Sequence, residues 1–449
     1  MPIRQTPILE VVCLDSFASS KLFGLPPSPQ YKATVVLAEQ SVYRQPGFLP
    51  FLVSRVLAMF AVQILAVVVA WQVYDLTRDP MALAYVGLAQ FIPMLLLLMP
   101  AGDLIDRYDR KLILALSWGV EALCAAALLW LSVSNGPVNA FYLVLVFYGC
   151  ARAFTGPALS SLLPQIVPRE RLAPAIAANS MIVRASTISG PVLGGGLYAL
   201  GGGGLTYAVC LGCFLGGVLM LALVKVRFAE ARQVLESTAW QRFTAGIHFI
   251  RSRPIILGTI SLDLFAVLLG GVVALLPIYA QEVLQVGPTG LGILRSAMAI
   301  GEVLVGFYLS LRPFNRHVGM SMFVAVAVFG LANLVFSLSS LFWLSFAALL
   351  VAGGADMVSM YIRSSLVQFS TPDAMRGRVN AVNMLFIGSS NELGEFRAGS
   401  SAAWFGAVPA ALIGSLCTLG VVGGWMWGFR SLRTVDRFED ASPERAAQG

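Results

Sequence analysis

Long apolar runs separated by short polar connections dominate the chain from about residue 48 onward. A helix that crosses a bilayer needs about 20 consecutive, mainly apolar residues. Twelve stretches meet that requirement, so the pattern predicts an all-α integral membrane protein with twelve transmembrane helices. The predicted spans are centred on residues 48–74, 81–101, 112–133, 139–163, 174–199, 203–224, 254–280, 289–311, 318–338, 341–368, 378–404 and 407–429.

The overall composition agrees with a membrane protein and excludes several other classes. Of the 449 residues, 57% are hydrophobic and only 12% are charged. A soluble globular chain has about 25% charged residues, so this chain could not cover a water-exposed surface of its size. A soluble enzyme, a disulfide scaffold and a disordered chain are therefore excluded.

The distribution of lysine and arginine predicts which side of the membrane each connection faces. Alternate connections, together with the two termini, hold 23 basic residues, whereas the other set of connections holds only Arg78. Because basic residues concentrate in cytoplasmic loops, both termini are expected in the cytoplasm. The same topology explains the net charge of +7, and we expect no nucleic acid partner.

The longest interior connection, 225–253, divides the predicted spans six and six. Within it, Trp240, Phe243, Ile247 and Ile250 follow helical spacing, which predicts an amphipathic helix on the inner leaflet; a flexible basic linker is the alternative. The predicted units are a polar cytoplasmic arm over 1–46, an N-terminal six-helix half over 47–224, this cytoplasmic linker over 225–253, a C-terminal six-helix half over 254–429 and a cytoplasmic tail over 430–449.

The two halves also share residues at a constant spacing. A shift of 204 residues brings Pro168 onto Pro372 and Asn179 onto Asn383. One offset that holds through helix, loop and helix indicates a duplication. Transporters use such repeats, with the substrate site near the bilayer midplane between them.

The run from Gly102 to Leu114, GDLIDRYDRKLIL, resembles the loop signature G-x-L-a-D-R-x-G-R-K-x-x-L of the major facilitator superfamily. Asp109 stands where the family usually has glycine, so the turn there is expected to differ. The resemblance implies a gating loop between spans two and three, although its basic residues could act only as topology anchors. The loop residues concerned are Gly102, Asp106, Arg107, Arg110 and Lys111.

Two further elements carry the same resemblance. Arg152 and Thr155 lie in a run similar to the family's R-x-x-Q-G, with threonine replacing glutamine. Span five holds a G-P-x-x-G-G run like that of family antiporters, for which a purely structural kink fits equally well. Around Gly377, the chain looks most like the enterobactin-exporter-like branch of bacterial efflux proteins. The antiporter-like residues are Gly190, Pro191, Gly194 and Gly195.

The resemblance implies the major facilitator fold, with two pseudo-symmetric six-helix halves that work by alternating access. In that family, spans one, four, seven and ten line the central cavity. We expect no cofactor. The resemblance covers nearly all of residues 47–430.

Charged residues inside the predicted spans are the strongest functional signal. A charge at the bilayer centre costs about 2.5–3.5 kcal/mol on insertion scales, so twelve such residues are expected to face a cavity or one another. They are Arg55, Arg152, Arg184, Arg295, Arg363, Arg397, Glu121, Asp263, Glu302, Asp356, Glu392 and Glu395.

The repeat relates some of these charges. Arg152 in span four corresponds to Asp356 in span ten, and Arg55 corresponds to a position one turn from Asp263 in span seven. We therefore predict Asp356 and Asp263 as proton-accepting carboxylates, with Arg152 and Arg55 as their partners or as anchors for an anionic substrate. Ion pairs of purely structural value are the alternative. The predicted proton and substrate path comprises Asp356, Arg152, Asp263, Arg55, Glu302 and Arg184.

These features together predict a transporter and not an enzyme. The sequence has no P-loop, no H-E-x-x-H motif and no histidine inside a predicted span; we predict no metal site. The expected function is proton-coupled export of a siderophore or drug-like amphiphile across a bacterial inner membrane by a monomer. An importer of a small metabolite is the closest alternative, and a membrane receptor or scaffold is a weaker one.

Overall fold

A computed structural model describes residues 42–226 and 239–441 of the chain. The regular structure in those ranges is entirely helical. We number the helices longer than ten residues there as α1 (Phe48–Thr77), α2 (Pro80–Arg107), α3 (Arg110–Val133), α4 (Val138–Ile166), α5 (Leu172–Ala222), α6 (Ala239–Ser252), α7 (Pro254–Gly270), α8 (Gly287–Leu311), α9 (Val318–Leu338), α10 (Phe342–Ser370), α11 (Asp373–Phe405) and α12 (Ala407–Gly428).

Ten helical segments in the described ranges are long and apolar enough to cross a membrane, so the chain is a multi-pass membrane protein. One of the ten, Arg169–Ala222, contains all of α5, whose backbone leaves helical geometry at Gly201 and Gly202. Helix α11 is not among the ten because its composition is more polar. The count of twelve spans therefore stays a prediction.

Local chemistry at the helix ends explains where several helices begin. The Asp79 carboxylate accepts a hydrogen bond from Met81 N at 2.9 Å, and Pro80 occupies the first turn of α2. Both features are typical of helix N-termini. Between α11 and α12, Gly406 has a φ of 88°, a conformation that only glycine adopts without strain.

We call α1–α5 the N-lobe and α7–α12 the C-lobe. The end of the bundle that carries the connections 77–80, 283–287 and 405–407 is called the far end. The opposite end, where α6 lies, is called the linker end. One apolar cluster at the far end contains residues of both lobes: Trp71 and Tyr74 of the N-lobe with Leu291, Phe336 and Ala402 of the C-lobe, among others.

Apolar clusters at the linker end each stay within one lobe. Phe51, Leu162 and Ala175 belong to a cluster of N-lobe residues, whereas Phe323 and Leu366 belong to a separate one in the C-lobe. Van der Waals packing of side chains contributes to the cohesion between membrane helices in contact. In this conformation the lobes therefore share a core at the far end but have separate cores at the linker end.

Helix α6 falls where the sequence predicts an amphipathic helix. Phe243, Ile247 and Ile250 pack in one cluster with Val379 and Val382 of α11. The protein therefore covers most of the apolar face, contrary to the expectation that this face rests on the inner leaflet. Trp240, the first aromatic residue of the pattern, is not covered in this way, because it is 61% exposed.

The first residues of the predicted tail fold back onto the C-lobe. The Phe438 ring packs between those of Tyr361 and Phe369, and Asp436 accepts a hydrogen bond from His317 N at 2.9 Å. These contacts join the tail to α10 and to the connection before α9. Most of the predicted N-terminal arm, the middle of the linker and the last eight residues lie outside the described ranges.

Candidate functional site

Two pairs of helices bring the lobes together: α5 packs on α8, and α2 packs on α11. At the α5–α8 junction the backbones touch. A Cβ atom on Gly195 would overlap the carbonyl oxygen of Pro288, and one on Gly292 would overlap that of Pro191. Small residues permit such close approach of membrane helices.

The α2–α11 junction is less tight. A Cβ atom on Gly399 would lie 2.9 Å from the Cβ atom of Ala84, and one on Gly87 would lie 3.8 Å from the Cβ atom of Glu395. The backbone nitrogen of Ala84 also lies 2.9 Å from the Cβ position of Gly399, but both distances exceed those to the carbonyl oxygens at the α5–α8 junction. A carboxylate of the C-lobe thus borders this junction.

The contacts at the two junctions follow the internal repeat. Gly399 comes 204 residues after Gly195, and Pro288 comes 204 residues after Ala84. The contact of Gly195 with Pro288 is therefore the counterpart of the contact between Gly399 and Ala84. The spacing noted in the sequence corresponds to equivalent positions in space.

A first group of charges lies beside the α5–α8 junction, and we call it the Arg184 cluster. Arg184 Nη1 of α5 donates to Glu302 Oε2 of α8 at 2.5 Å, which joins the two lobes. Asp356 of α10 interacts electrostatically with both residues. The cluster thus has two carboxylates and one guanidinium group.

A second group, the Arg152 cluster, lies beside the α2–α11 junction. Arg152 of α4 is half-buried and interacts electrostatically with Glu121 of its own lobe. It also interacts with Glu392 and Glu395 of α11, in the other lobe. Arg295 of α8 is a second cation near Glu392.

The N-lobe side of this cluster is a buried polar network. Glu121 is fully buried, and its Oε1 atom accepts a hydrogen bond from Thr155 Oγ1 at 2.9 Å. Arg55 of α1 interacts with Glu121 electrostatically. The guanidinium of Arg152 lies 6.0 Å from the ring centroid of Tyr148, within the range of a cation–π contact.

The repeat-related residues Arg152 and Asp356 thus occupy comparable places at different junctions. Each interacts electrostatically with residues of opposite charge in the other lobe: Arg152 with carboxylates of α11, and Asp356 with Arg184 of α5. The sequence analysis expects the two residues to be partners. Their described interactions are with other residues, so each has a separate partner set.

Asp263 has a different environment from the other predicted acids. It forms an ion pair with Arg363, and the two side chains are only 8% and 5% exposed. Both residues belong to the C-lobe, on α7 and α10. The structure therefore does not bring Asp263 together with Arg55, whose described electrostatic interaction is with Glu121.

Two more arginines inside predicted spans bind backbone carbonyls. Arg295 Nη1 donates to Ala66 O of α1 at 3.4 Å, which is a contact between lobes. Arg397 donates to the carbonyl oxygens of Leu268 and Gly271 at 3.3 and 3.2 Å. Cations favour the carbonyl end of a helix, so Arg397 stabilises the C-terminal end of α7.

The loop that resembles the family signature connects helices within the N-lobe. Arg110 Nη1 donates to Ser161 O of α4 at 3.2 Å, and Lys111 Nζ donates to Ala222 O at 2.9 Å, near the end of α5. Asp109 caps α3 by accepting a hydrogen bond from Lys111 N at 2.8 Å. Its φ is −65°, so this turn does not require glycine.

The remaining loop residues add less to the geometry. Gly102 has open space where a Cβ atom would lie, and Arg107 is exposed. The side chain of Asp106 lies outside what the structure describes.

The antiporter-like element packs α5 against two neighbours. A Cβ atom on Gly190 would lie 2.5 Å from Gln63 Cβ, and one on Gly194 would lie 3.2 Å from Ile64 Cα; both neighbours are on α1. Gly195 faces α8 in the other lobe. The element therefore lets α5 pack closely within its own lobe and across the junction.

Sequence reasoning missed two features of the site. It left Glu392 and Glu395 out of the predicted proton and substrate path, although Glu395 follows Pro191 of the α5–α8 junction by 204 residues. It also missed a contact at the far end, where the Tyr74 hydroxyl of α1 donates a hydrogen bond to the Glu282 carboxylate of the other lobe. No spacing in the sequence indicates that pair.

A family model matches nearly the whole length of the chain. Residues 39–447 match the family described as transmembrane secretion effector. The chain belongs to this family of the major facilitator superfamily. It is therefore a transporter and not an enzyme, as the sequence predicts.

Curated relatives are similar over most of their length. The enterobactin exporter EntS of Shigella dysenteriae serotype 1 (strain Sd197) is 25% identical over 75% of this chain and 80% of its own. EntS of Citrobacter koseri (strain ATCC BAA-895) is 26% identical with the same coverage. The predicted resemblance to the enterobactin-exporter-like branch is thus confirmed.

Solved structures confirm the fold class. A bacterial homologue of the human lysosomal transporter Spinster, inward-facing and unoccupied, has a TM-score of 0.67 at 14% identity, over 90% of this chain and 99% of its own. An inward-facing bacterial homologue of the iron transporter ferroportin has a TM-score of 0.64 at 19% identity, over 86% of this chain and 99% of its own. At such identities the likeness shows the fold alone.

Proposed function

We propose that this chain is a monomeric secondary transporter of a bacterial inner membrane, which exports a small organic compound in exchange for protons. The observation that carries the proposal is the Arg184 cluster. An ion pair, Arg184–Glu302, joins the lobes, and Asp356 adds a second carboxylate to it. The substrate would be a siderophore or a drug-like amphiphile.

The proposed topology has twelve spans and two repeated halves, 47–224 and 254–429. The two arms of α5 on either side of Gly201 supply spans five and six, and α11 supplies span eleven. Polar residues in α11 are compatible with a span because its carboxylates face the other lobe. The lysine and arginine distribution supports a cytoplasmic linker end, with both termini on that side.

The charge balance of the Arg184 cluster supports proton coupling. Glu302 has Arg184 as its partner, and Asp356 has no cation of its own within the cluster. An unbalanced carboxylate away from bulk water can be neutralised by a proton. Protonation would weaken the hold of the C-lobe on Arg184 and allow the lobes to rock.

The other predicted path residues would then have supporting roles. Arg152 and Arg55 would hold the polar network of the N-lobe and offer a cation to an anionic substrate. Asp263, paired with Arg363 inside the C-lobe, would keep α7 and α10 together. The loop contacts of Arg110 and Lys111 would keep the N-lobe rigid while it moves.

The direction of transport and the substrate class rest on the relatives. The enterobactin exporters named above match most of their own length, and the Gly190–Gly195 element resembles that of antiporters. The conformation is compatible with this cycle, because the apolar clusters described at the linker end each belong to one lobe only.

A proteoliposome assay tests the proposal. The purified chain is reconstituted with a pH-sensitive dye inside, and radiolabelled enterobactin or ethidium is added as the probe. We expect substrate movement to be driven by a pH gradient. Asp356→Asn should abolish this coupling, since an amide cannot exchange the proton.

Glu439→Gln is the matched control, because Glu439 is exposed in the tail and should leave coupling unchanged. Full coupling in Asp356→Asn would contradict the assigned proton site. Movement of either probe only in the direction of import would favour the importer, and movement of neither would contradict the substrate classes.

A further inference from the structure

Arg152 has acidic neighbours in both lobes, unlike the other charged residues at the junctions. Glu121 belongs to α3 of the N-lobe, whereas Glu392 and Glu395 lie three residues apart on α11 of the C-lobe. Residues at that spacing lie on one helix face. The guanidinium group is therefore attracted by acids of both lobes, which separate when the lobes separate.

Glu121 is only partly satisfied in this conformation. Its Oε1 atom accepts a hydrogen bond from Thr155, but its buried Oε2 atom has no hydrogen-bond partner among the described residues. Buried polar atoms are nearly always paired. The vacant oxygen lies in the same network as Arg152, whose one described hydrogen bond is a long one of 3.5 Å to Gln90.

We infer that Arg152 changes its carboxylate partner during the transport cycle. When the far end is closed, as here, Glu392 and Glu395 attract Arg152 electrostatically across the α2–α11 junction, without a described ion pair. When α11 moves away, Arg152 transfers to the free oxygen of Glu121. Glu121 is thus a positioning residue that stabilises the conformation with an open far end.

The physical reason is the free-energy cost of a buried charge that has no partner. Removing one partner of a buried ion pair leaves the other charge uncompensated in a medium of low dielectric constant. If α11 left without a replacement partner, Arg152 would bear that cost and far-end opening would be rare. A second acceptor within the N-lobe removes most of the cost.

The other charges around Arg152 are compatible with this exchange. Arg55 of α1 faces Glu121, and Arg295 of α8 faces Glu392. Glu121 on the N-lobe side and Glu392 on the C-lobe side therefore each have a second cation nearby, so neither side loses all its positive charge when Arg152 transfers. Counted with Arg152, the network has three cations and three carboxylates.

The inference rests on the lobe movement of the proposed function, but it can be tested without a substrate or a pH gradient. The reporter is a cysteine at Met81, whose sulfur lies 3.7 Å from Ser400 Oγ at the far end of the α2–α11 junction. The six native cysteines are replaced by serine. The alkylation rate of Met81→Cys by a maleimide in detergent then measures far-end opening.

We expect opposite shifts from the two sets of acids. Glu121→Gln should slow alkylation about fivefold, since the open conformation loses its acceptor, whereas Glu392→Gln/Glu395→Gln should accelerate it by a similar factor. Glu170→Gln, in the exposed turn Arg169–Arg171, is the matched control. If transport proved not to be coupled to protons, the proposed function would be contradicted, but the expected shifts in alkylation rate would stay the same.

Shifts in the same direction, or no shift in Glu121→Gln, would overturn the partner exchange. If Glu121→Gln does not purify as a monodisperse protein, Glu121→Asp replaces it. The shorter side chain keeps the charge but reaches Arg152 less well, so alkylation should again slow down. An unchanged or faster rate in Glu121→Asp would likewise overturn the inference.

Discussion

The two junctions between the lobes are related by the same repeat but differ in how they are built. At α5–α8, glycines bring backbone against backbone, and Gly195 and Gly292 leave no room for a Cβ atom. At α2–α11, the nearest neighbours of Gly399 and Gly87 include side-chain atoms at 2.9 and 3.8 Å. The backbones therefore approach more closely at α5–α8, whereas a charged side chain, Glu395, borders the α2–α11 junction.

The charges differ in the same way. The Arg184 cluster at α5–α8 has more carboxylates than cations, whereas the Arg152 cluster at α2–α11 is balanced. An excess carboxylate suits proton binding, and a balanced network suits a change of partners. Under the proposals above, the two repeat-related junctions would have different tasks, proton binding at one and a change of partners at the other.

The largest expected effect is on stability, and it compares the loss of an ion pair inside a lobe with the loss of one at a junction. Arg363→Met leaves Asp263 buried without its partner, which should cost about 3–5 kcal/mol of stability. Arg184→Met should cost less, because the Arg184 side chain is 42% exposed. Thermal unfolding in detergent measures both.

Asp263→Leu/Arg363→Met provides the control, since replacing both charges by apolar groups can be nearly neutral. If Arg184→Met destabilised the protein as much as Arg363→Met, the distinction between the two kinds of ion pair would be lost.

A second prediction compares the packing of the junctions. Gly195→Ala should shift the equilibrium toward far-end opening by about 1–3 kcal/mol, because its methyl group meets a backbone carbonyl that cannot easily move. Gly399→Ala should have a smaller effect, and Gly196→Ala none, since a Cβ atom there has open space. Alkylation of Met81→Cys reports all three, and a larger effect at Gly399 would reverse the comparison.

The helical fold and the relation between Arg152 and Asp356 could be predicted from the sequence, because both depend on the spacing of residues along the chain. Apolar runs locate the helices, and the offset of 204 relates Arg152 to Asp356. The partners of these residues could not be predicted, because they depend on how far each helix is rotated and how closely it packs. Glu392 and Glu395 illustrate this, since their spacing fits a structural network as well as a junction.

Asp263 is a second residue whose partner could not be predicted from the sequence. The repeat places it one helical turn from the counterpart of Arg55, which suggests a pair between lobes. The rotation of α7 turns it toward Arg363 of α10 instead. The period of a helix fixes which residues share a face, but only packing decides which neighbour that face meets.

The smallest predicted effect concerns Tyr74, which joins the lobes at the far end. Tyr74→Phe removes the hydrogen bond to the exposed Glu282 carboxylate, worth about 1 kcal/mol, and should accelerate alkylation of Met81→Cys about fivefold. Tyr279→Phe is the matched control, because its hydroxyl donates to Ser337 O at 3.0 Å within the C-lobe.

The Tyr74 result also tests whether the junctions open together. Tyr74 belongs to α1, which packs on α5, whereas the reporter at Met81 lies at the α2–α11 junction. A rigid movement of the lobes would transmit the loss of this bond to the reporter. An unchanged alkylation rate, with Tyr279→Phe also unchanged, would mean that the two junctions open independently, and the tight junction could then serve as the hinge for the charged one.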